Sequence, residues 1–194
     1  MLKDKFKDYK IILASGSPRR QQFFKDLDLD FEIRLKDIEE IYPDNLQGAE
    51  ITNFLAELKA SAFESELNPN EILVTSDTIV WLQNKALGKP KDYDDAFNIL
   101  RSLSNQTHEV ITSVCFKTTD KTDTIFDVTK VTFNQLSDEA IRYYLDNYKP
   151  FDKAGAYGIQ EWIGLVGITR IDGSYTNVVG LPTEKVYQFL NNYI

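Results

Sequence analysis

A chain of 194 residues, 42% hydrophobic and 27% charged, has the composition of one large globular domain or two small lobes and not of a disordered or fibrous protein. Its formal net charge of -8 argues against long-range attraction to a nucleic acid polymer, and no apolar run approaches the roughly 20 residues that span a bilayer. A single cysteine, Cys115, and a single histidine, His108, exclude an intrachain disulfide framework and a histidine-rich zinc site. A cytoplasmic setting is therefore expected, and any metal has to rest mainly on oxygen ligands, which favours magnesium or manganese.

The N-terminus alternates charge with apolar residues and lacks the apolar core of a signal peptide. Lys10 to Ser15 reads as a short buried strand, followed by Gly16 and a helix from Pro18 to Leu27. Phe31 to Leu35 alternates like a strand. Residues Gly48 to Leu67 repeat apolar positions at helical spacing (Ile51, Phe54, Leu55, Leu58, Ala62, Phe63). Glu71 to Thr75 is a buried strand leading into Ser76-Asp77-Thr78, and Ile79 to Leu82 precedes a hairpin turn at Gln83-Asn84-Lys85. Asp92 caps a helix that runs through Leu103. Two β-rich runs, Glu109 to Thr118 and Thr124 to Phe133, flank a polar turn. Ser137 opens a helix to Asn147, Lys153 to Gly180 reads as strands and close-fitting loops, and Thr183 to Asn192 forms a last helix. Alternating helices and strands make the class α/β, and the central hairpins call for a mixed sheet.

Four constellations carry chemistry. In Ala14-Ser15-Gly16-Ser17-Pro18-Arg19-Arg20 a strand ends in a glycine that admits close approach of a ligand, Ser17 suits an N-cap, and Pro18 suits the first helical position. Free N–H groups and two arginines then favour an oxyanion, although the same residues also describe an ordinary capped helix. Asp77, leaving the end of a buried strand, is placed to hold a hard cation and take a proton from water, or else to cap a turn. The acidic run Lys36-Asp37-Ile38-Glu39-Glu40 is a solvated face unless it lies beside Asp77, where one carboxylate would complete a magnesium site. Lys59, within a helix, and Lys89, in Gly88-Lys89-Pro90, are surface charges or polyphosphate ligands. His108 is expected to satisfy backbone groups, and Cys115 to lie in the core.

In this order the segments ILASGSPRRQQFF, KDIEE, the LKA that contains Lys59, SDTIV, LGKP, AFNILRSLSNQTHEVIT, DKAGAYGIQ and GSYTNVVGLP resemble the motifs of the Maf family of nucleoside triphosphate pyrophosphatases over nearly the whole chain. The resemblance implies hydrolysis between the α- and β-phosphates, a Mg²⁺ or Mn²⁺ cofactor, and a nucleoside triphosphate as the binding partner. It also implies one domain over residues 1–194, with two lobes around a central cleft. Its elongated mixed sheet flanked by helices would be similar to that of the inosine triphosphate pyrophosphatases, often as a homodimer. By motif, Asp77 is the implied catalytic aspartate and a metal ligand, and Glu40 the second metal ligand. KDIEE departs from the commoner D-x-D-E form, so Glu39 stays open as the alternative. Ser15, Ser17, Arg20, Lys59 and Lys89 match phosphate-binding positions.

Arg19, Thr78 and Gln160 match positions of substrate specificity in the branch that acts on dTTP and UTP, which would clear non-standard nucleotides. Glu161 stands where many relatives have glycine, at the implied rim of the base pocket. Two other readings are a pyrophosphatase for 7-methyl-GTP and a non-catalytic, nucleotide-binding regulator of septum formation.

Overall fold

The computed structural model describes residues 1–193. After a short helix α1 (Leu2–Lys5), chain order runs β1 (Lys10–Leu13), α2 (Pro18–Asp26), β2 (Phe31–Ile33), α3 (Ala49–Ser61), β3 (Glu71–Leu82), β4 (Lys85–Leu87), α4 (Tyr93–Leu103) and β5 (Thr107–Lys117). It continues with β6 (Thr122–Phe133), α5 (Asp138–Tyr148), α6 (Trp162–Gly167), β7 (Ile168–Asp172), α7 (Tyr175–Val179) and α8 (Thr183–Tyr193). The strands hydrogen-bond in the order β2-β1-β3-β5-β6-β7, with β4 paired to β3. β1 is parallel to both β2 and β3, while β4 on β3 and β7 on β6 are antiparallel, so the sheet is mixed.

The chain forms two compact units, one of residues 1–77, 112–127 and 180–193, the other of 78–111 and 128–179. In the first, Ile11 to Leu13 of β1 and Ile72 to Val74 of β3 are covered on both faces, which is why these stretches are unbroken apolar runs. Ile11, Leu13, Ile72 and Val74 face Phe24 of α2 and Val186 and Leu190 of α8. Ile12 and Leu73, pointing the opposite way, meet Ala56 and Ala60 of α3, Phe63 and the buried Cys115. Burial pushes the Cys115 thiol up to about 11, as fits a core residue. In the second unit Val80, Leu82, Val110, Val131 and Phe133 pack against α4 (Ala96, Leu100, Leu103) and α5 (Ile141, Tyr144, Leu145).

Local signals hold where they were explicit. Ser17, Asp92 and Ser137 each accept from the backbone N–H three residues on, at 3.5, 2.8 and 3.1 Å. Gln83 and Asn84 take positive φ in a two-residue hairpin loop that pairs Leu82 with Lys85. Three expectations change. The helix from Gly48 ends at Ser61, followed by a 3-10 turn at Glu64–Glu66. The segment from Lys153 also holds two short helices, α6 and α7, too brief for an apolar period to mark them. Glu71 to Leu82 forms one strand of twelve residues, so Asp77 lies within it and not at its end. The cause is that β1 stops at Leu13, opposite Val74, while β3 continues on its pairing with other strands.

His108 departs from its expected backbone role. Its Nε2 lies 2.7 Å from the Tyr157 hydroxyl, and its ring stacks on Phe133. Burial holds its pKa at about 4 against 6.5, a difference worth about 3 kcal/mol. Between those values the unfolded chain binds a proton that the folded chain refuses. The contribution is therefore whole above pH 6.5 and is lost on descending to about 4. At the start of β3 the Arg34 guanidinium, 3.0 Å from Glu71, holds that buried carboxyl at about 2 against 4.5. This second contribution is whole above pH 4.5 and disappears on descending to about 2. Melting temperature measured against pH should thus fall in two successive acid windows. His108→Gln should flatten the upper window and Glu71→Gln the lower. A profile unchanged in both variants would remove these groups as the cause.

Candidate active site

The site of the first unit starts where β1 ends. Ala14 N–H still donates to Val74 O at 2.9 Å, after which Ser15-Gly16-Ser17 turns into α2. Ser15 is buried, its Oγ accepts from Ser17 N–H at 3.3 Å, and its carbonyl accepts from Gln21 Nε2 at 3.1 Å. With Ser17 as the cap and Pro18 at the first helical position, the N-terminus of this nine-residue helix has a fixed direction. A Cβ on the exposed Gly16 would meet only Leu35 Cδ1 at 3.8 Å, so the fold itself does not require glycine there. The space beside the turn is open.

Arg20 extends from α2 to two carbonyls of other segments, Gly180 O at 2.8 Å from Nε and Ser76 O at 2.9 Å from Nη1. Its pKa is lowered by burial, against which the neighbouring Asp77 acts, and a guanidinium stays charged throughout the ordinary range. Arg20 therefore ties the anion-type turn to the strand that carries Asp77. Arg19, next to it, is half-buried.

Lys59 is the pivot. It projects from the last turn of α3, a helix held in the core by its buried residues Ile51, Leu55 and Ala56. The helix is anchored to β3 by Thr75 Oγ1, which donates to Ala56 O at 2.6 Å, and to β5 by a 2.6 Å contact between Thr52 Oγ1 and Ser113 Oγ. The lysine ammonium reaches Asp77 Oδ1 at 2.6 Å and Glu40 Oε1 at 3.0 Å. Asp77 is nearly buried, with 9% of its side chain exposed, whereas Glu40 is 44% exposed and free of regular secondary structure. Glu40, and not the exposed Glu39, makes the pairing to Lys59.

The donor chemistry fits a hard cation. Two carboxylate oxygens converge on one positive point, and among the described residues no group of three or more His, Cys, Asp or Glu forms a cage. Such oxygen donors are of the type that Mg²⁺ and Mn²⁺ take.

The remaining sequence candidates lie in the second unit. Thr78 follows Asp77 in β3 and is half-buried. Lys89 is exposed in the turn after β4, and Gly88 O accepts from Gly155 N–H at 3.0 Å, which sets that turn against the 3-10 turn Ala154–Ala156. Gln160 is exposed after five consecutive buried residues. Groups to which the motifs gave no role of their own are Gln21, Thr75 and the carbonyls of Ser76 and Gly180. A carbonyl leaves no trace in residue type, so only the folded chain reveals those two.

A mixed α/β sheet carrying a capped helix N-terminus, an acid pair and a bridging lysine defines a protein with a charge-dense site suited to oxyanions and cations. Residues 10–193 match the model of the Maf-like proteins, and the chain belongs to the Maf family. It is 76% identical over all of its length to a Flavobacterium psychrophilum protein named dTTP/UTP pyrophosphatase, covering 99% of that protein. A Flavobacterium johnsoniae protein of the same name is 72% identical, with each chain fully covered. One from Christiangramia forsetii is 51% identical over all of this chain and 99% of its own. Among solved structures, the Staphylococcus aureus Ham1 protein superposes with a TM-score of 0.49 at 15% identity, over 64% of this chain and 71% of that one. No helix among the described residues is long and apolar enough to cross a membrane.

Proposed function

We propose that this protein hydrolyses dTTP and UTP to the monophosphate and pyrophosphate by attack of water on the α-phosphorus, within the cytoplasmic nucleotide pool. The observation that carries the reading is Lys59 Nζ held between Asp77 Oδ1 and Glu40 Oε1. The names of the three relatives support the substrates.

Asp77 and Glu40 would hold the Mg²⁺ or Mn²⁺, which when bound supplies Lewis-acid polarisation of the phosphate and acidifies water. Asp77 accepts the proton of the attacking water as the new P–O bond forms. The bond from the α-phosphorus to the bridging oxygen breaks, and pyrophosphate leaves with the electron pair. Lys59, Arg20 and the N–H groups after Ser17 neutralise charge on the phosphates, and Ser15 and Ser17 shape the turn that receives them. Lys89 as a further phosphate ligand, and Arg19, Thr78 and Gln160 as selectors of the nucleotide, rest on their match to the family motifs.

Pyrophosphate release measured with dTTP, UTP, dCTP and 7-methyl-GTP, with and without Mg²⁺, tests the reading. Metal-dependent release from dTTP and UTP is expected. Preference for 7-methyl-GTP would move the protein to the methylated-purine branch, and release from no substrate would favour a non-catalytic regulator.

A further inference from the structure

Gln160 sits at the third position of a tight turn closed by Glu161 N–H donating to Gly158 O at 3.0 Å. Both ends of that turn meet one buried phenol. Gly158 N–H donates to Tyr144 Oη at 3.0 Å, and the Tyr144 hydroxyl donates to Glu161 Oε2. The other carboxylate oxygen of Glu161 lies 3.2 Å from the ammonium of Lys153, which is only 11% exposed. Glu161 therefore points back into its own unit, and its carboxylate is occupied there by a phenol and an ammonium.

Gly158 makes this possible, since a Cβ there would come within 2.8 Å of Glu161 Cδ and 3.1 Å of Gln160 Nε2. Gly155, at φ +69° with Val80 Cγ2 2.6 Å from where its Cβ would be, fixes the other end of the segment against β3. Burial pushes the Tyr144 hydroxyl well above its ordinary range, so it remains a donor at any working pH.

We infer that Glu161, clamped by Tyr144 and Lys153, is a positioning residue that sets the direction of the Gln160 amide and thereby the choice of pyrimidine. This rests on the reading of Gln160 as a base selector. An amide held in one orientation can match the N3–H donor and O4 acceptor of uracil and thymine, while cytosine offers an amino donor at the 4-position. An amide free to rotate matches either base.

The test is the ratio of kcat/KM for dTTP to that for dCTP, which is blind to any inactive fraction of the sample. Gln160→Ala, Glu161→Ala, Glu161→Gln, Tyr144→Phe and the Glu161→Ala/Tyr144→Phe double variant are compared with the wild type. Glu161→Ala and Tyr144→Phe should each lower the ratio about tenfold, in line with loss of one buried hydrogen bond, chiefly through KM for dTTP with kcat within about twofold. The double variant should lose no more than either single one, because both act through one clamp. Glu161→Gln, which keeps an acceptor for the phenol, should restore most of the ratio and serves if Glu161→Ala does not fold. An unchanged ratio in the Glu161 and Tyr144 variants, with a lowered ratio in Gln160→Ala, overturns the clamp alone. An unchanged ratio in Gln160→Ala overturns the base-selector reading and the clamp with it.

Discussion

Asp77→Asn is expected to lower kcat by at least about 10³-fold while leaving the melting temperature nearly unchanged. The asparagine carbonyl oxygen can still accept from Lys59, and Glu40 still pairs with the same ammonium, so the local packing around β3 persists. What disappears is the negative charge proposed to take the proton of the water and half of the carboxylate pair that would hold the cation. The measurement is steady-state pyrophosphate release at saturating Mg²⁺, with circular dichroism melts as the control for folding. Near-normal turnover in a well-folded variant would end the assignment of Asp77 as the proton acceptor.

Lys59→Met should act in two directions at once. Methionine keeps an apolar stem of similar length against α3 but removes the charge that now lies between two carboxylates. Turnover should fall by about 10²-fold, because the cation proposed to neutralise phosphate charge is lost. Stability should fall by about 1–3 kcal/mol, the cost of leaving the nearly buried Asp77 without its charged partner. Mg²⁺ alone, without nucleotide, should then raise the melting temperature more in the variant than in the wild type. On the proposed metal site, an incoming cation would compete in the wild type with an ammonium for the same two oxygens, and in the variant it would not. If Mg²⁺ stabilises both proteins equally, Lys59 and the metal do not share that position.

Much of the fold was legible because its signals are local. KIIL and EILV announced strands buried on both faces, and Ser17, Asp92 and Ser137 announced helix starts, since a cap involves residues only three apart. The short helices α6 and α7 were not legible, being six and five residues long, less than two turns. In the site, motif reading nominated Asp77, Lys59 and an acid from KDIEE, and the folded chain brought Glu40 to the lysine instead of Glu39. It nominated Arg20 as a phosphate ligand without showing that its Nε and Nη1 are held by the carbonyls of Gly180 and Ser76.

The sequence by itself determined the class, most of the order of elements, the family resemblance and the chemical types available: carboxylates, a capped helix start and a few cations. Only the tertiary structure decided which acid meets Lys59, what orients Arg20, that His108 serves Tyr157, and that Glu161 turns inward to Tyr144. The physical reason is range. Periodicity and capping act within a turn or two of the chain, whereas Arg20 and Gly180 are 160 positions apart and join through a carbonyl that every residue possesses.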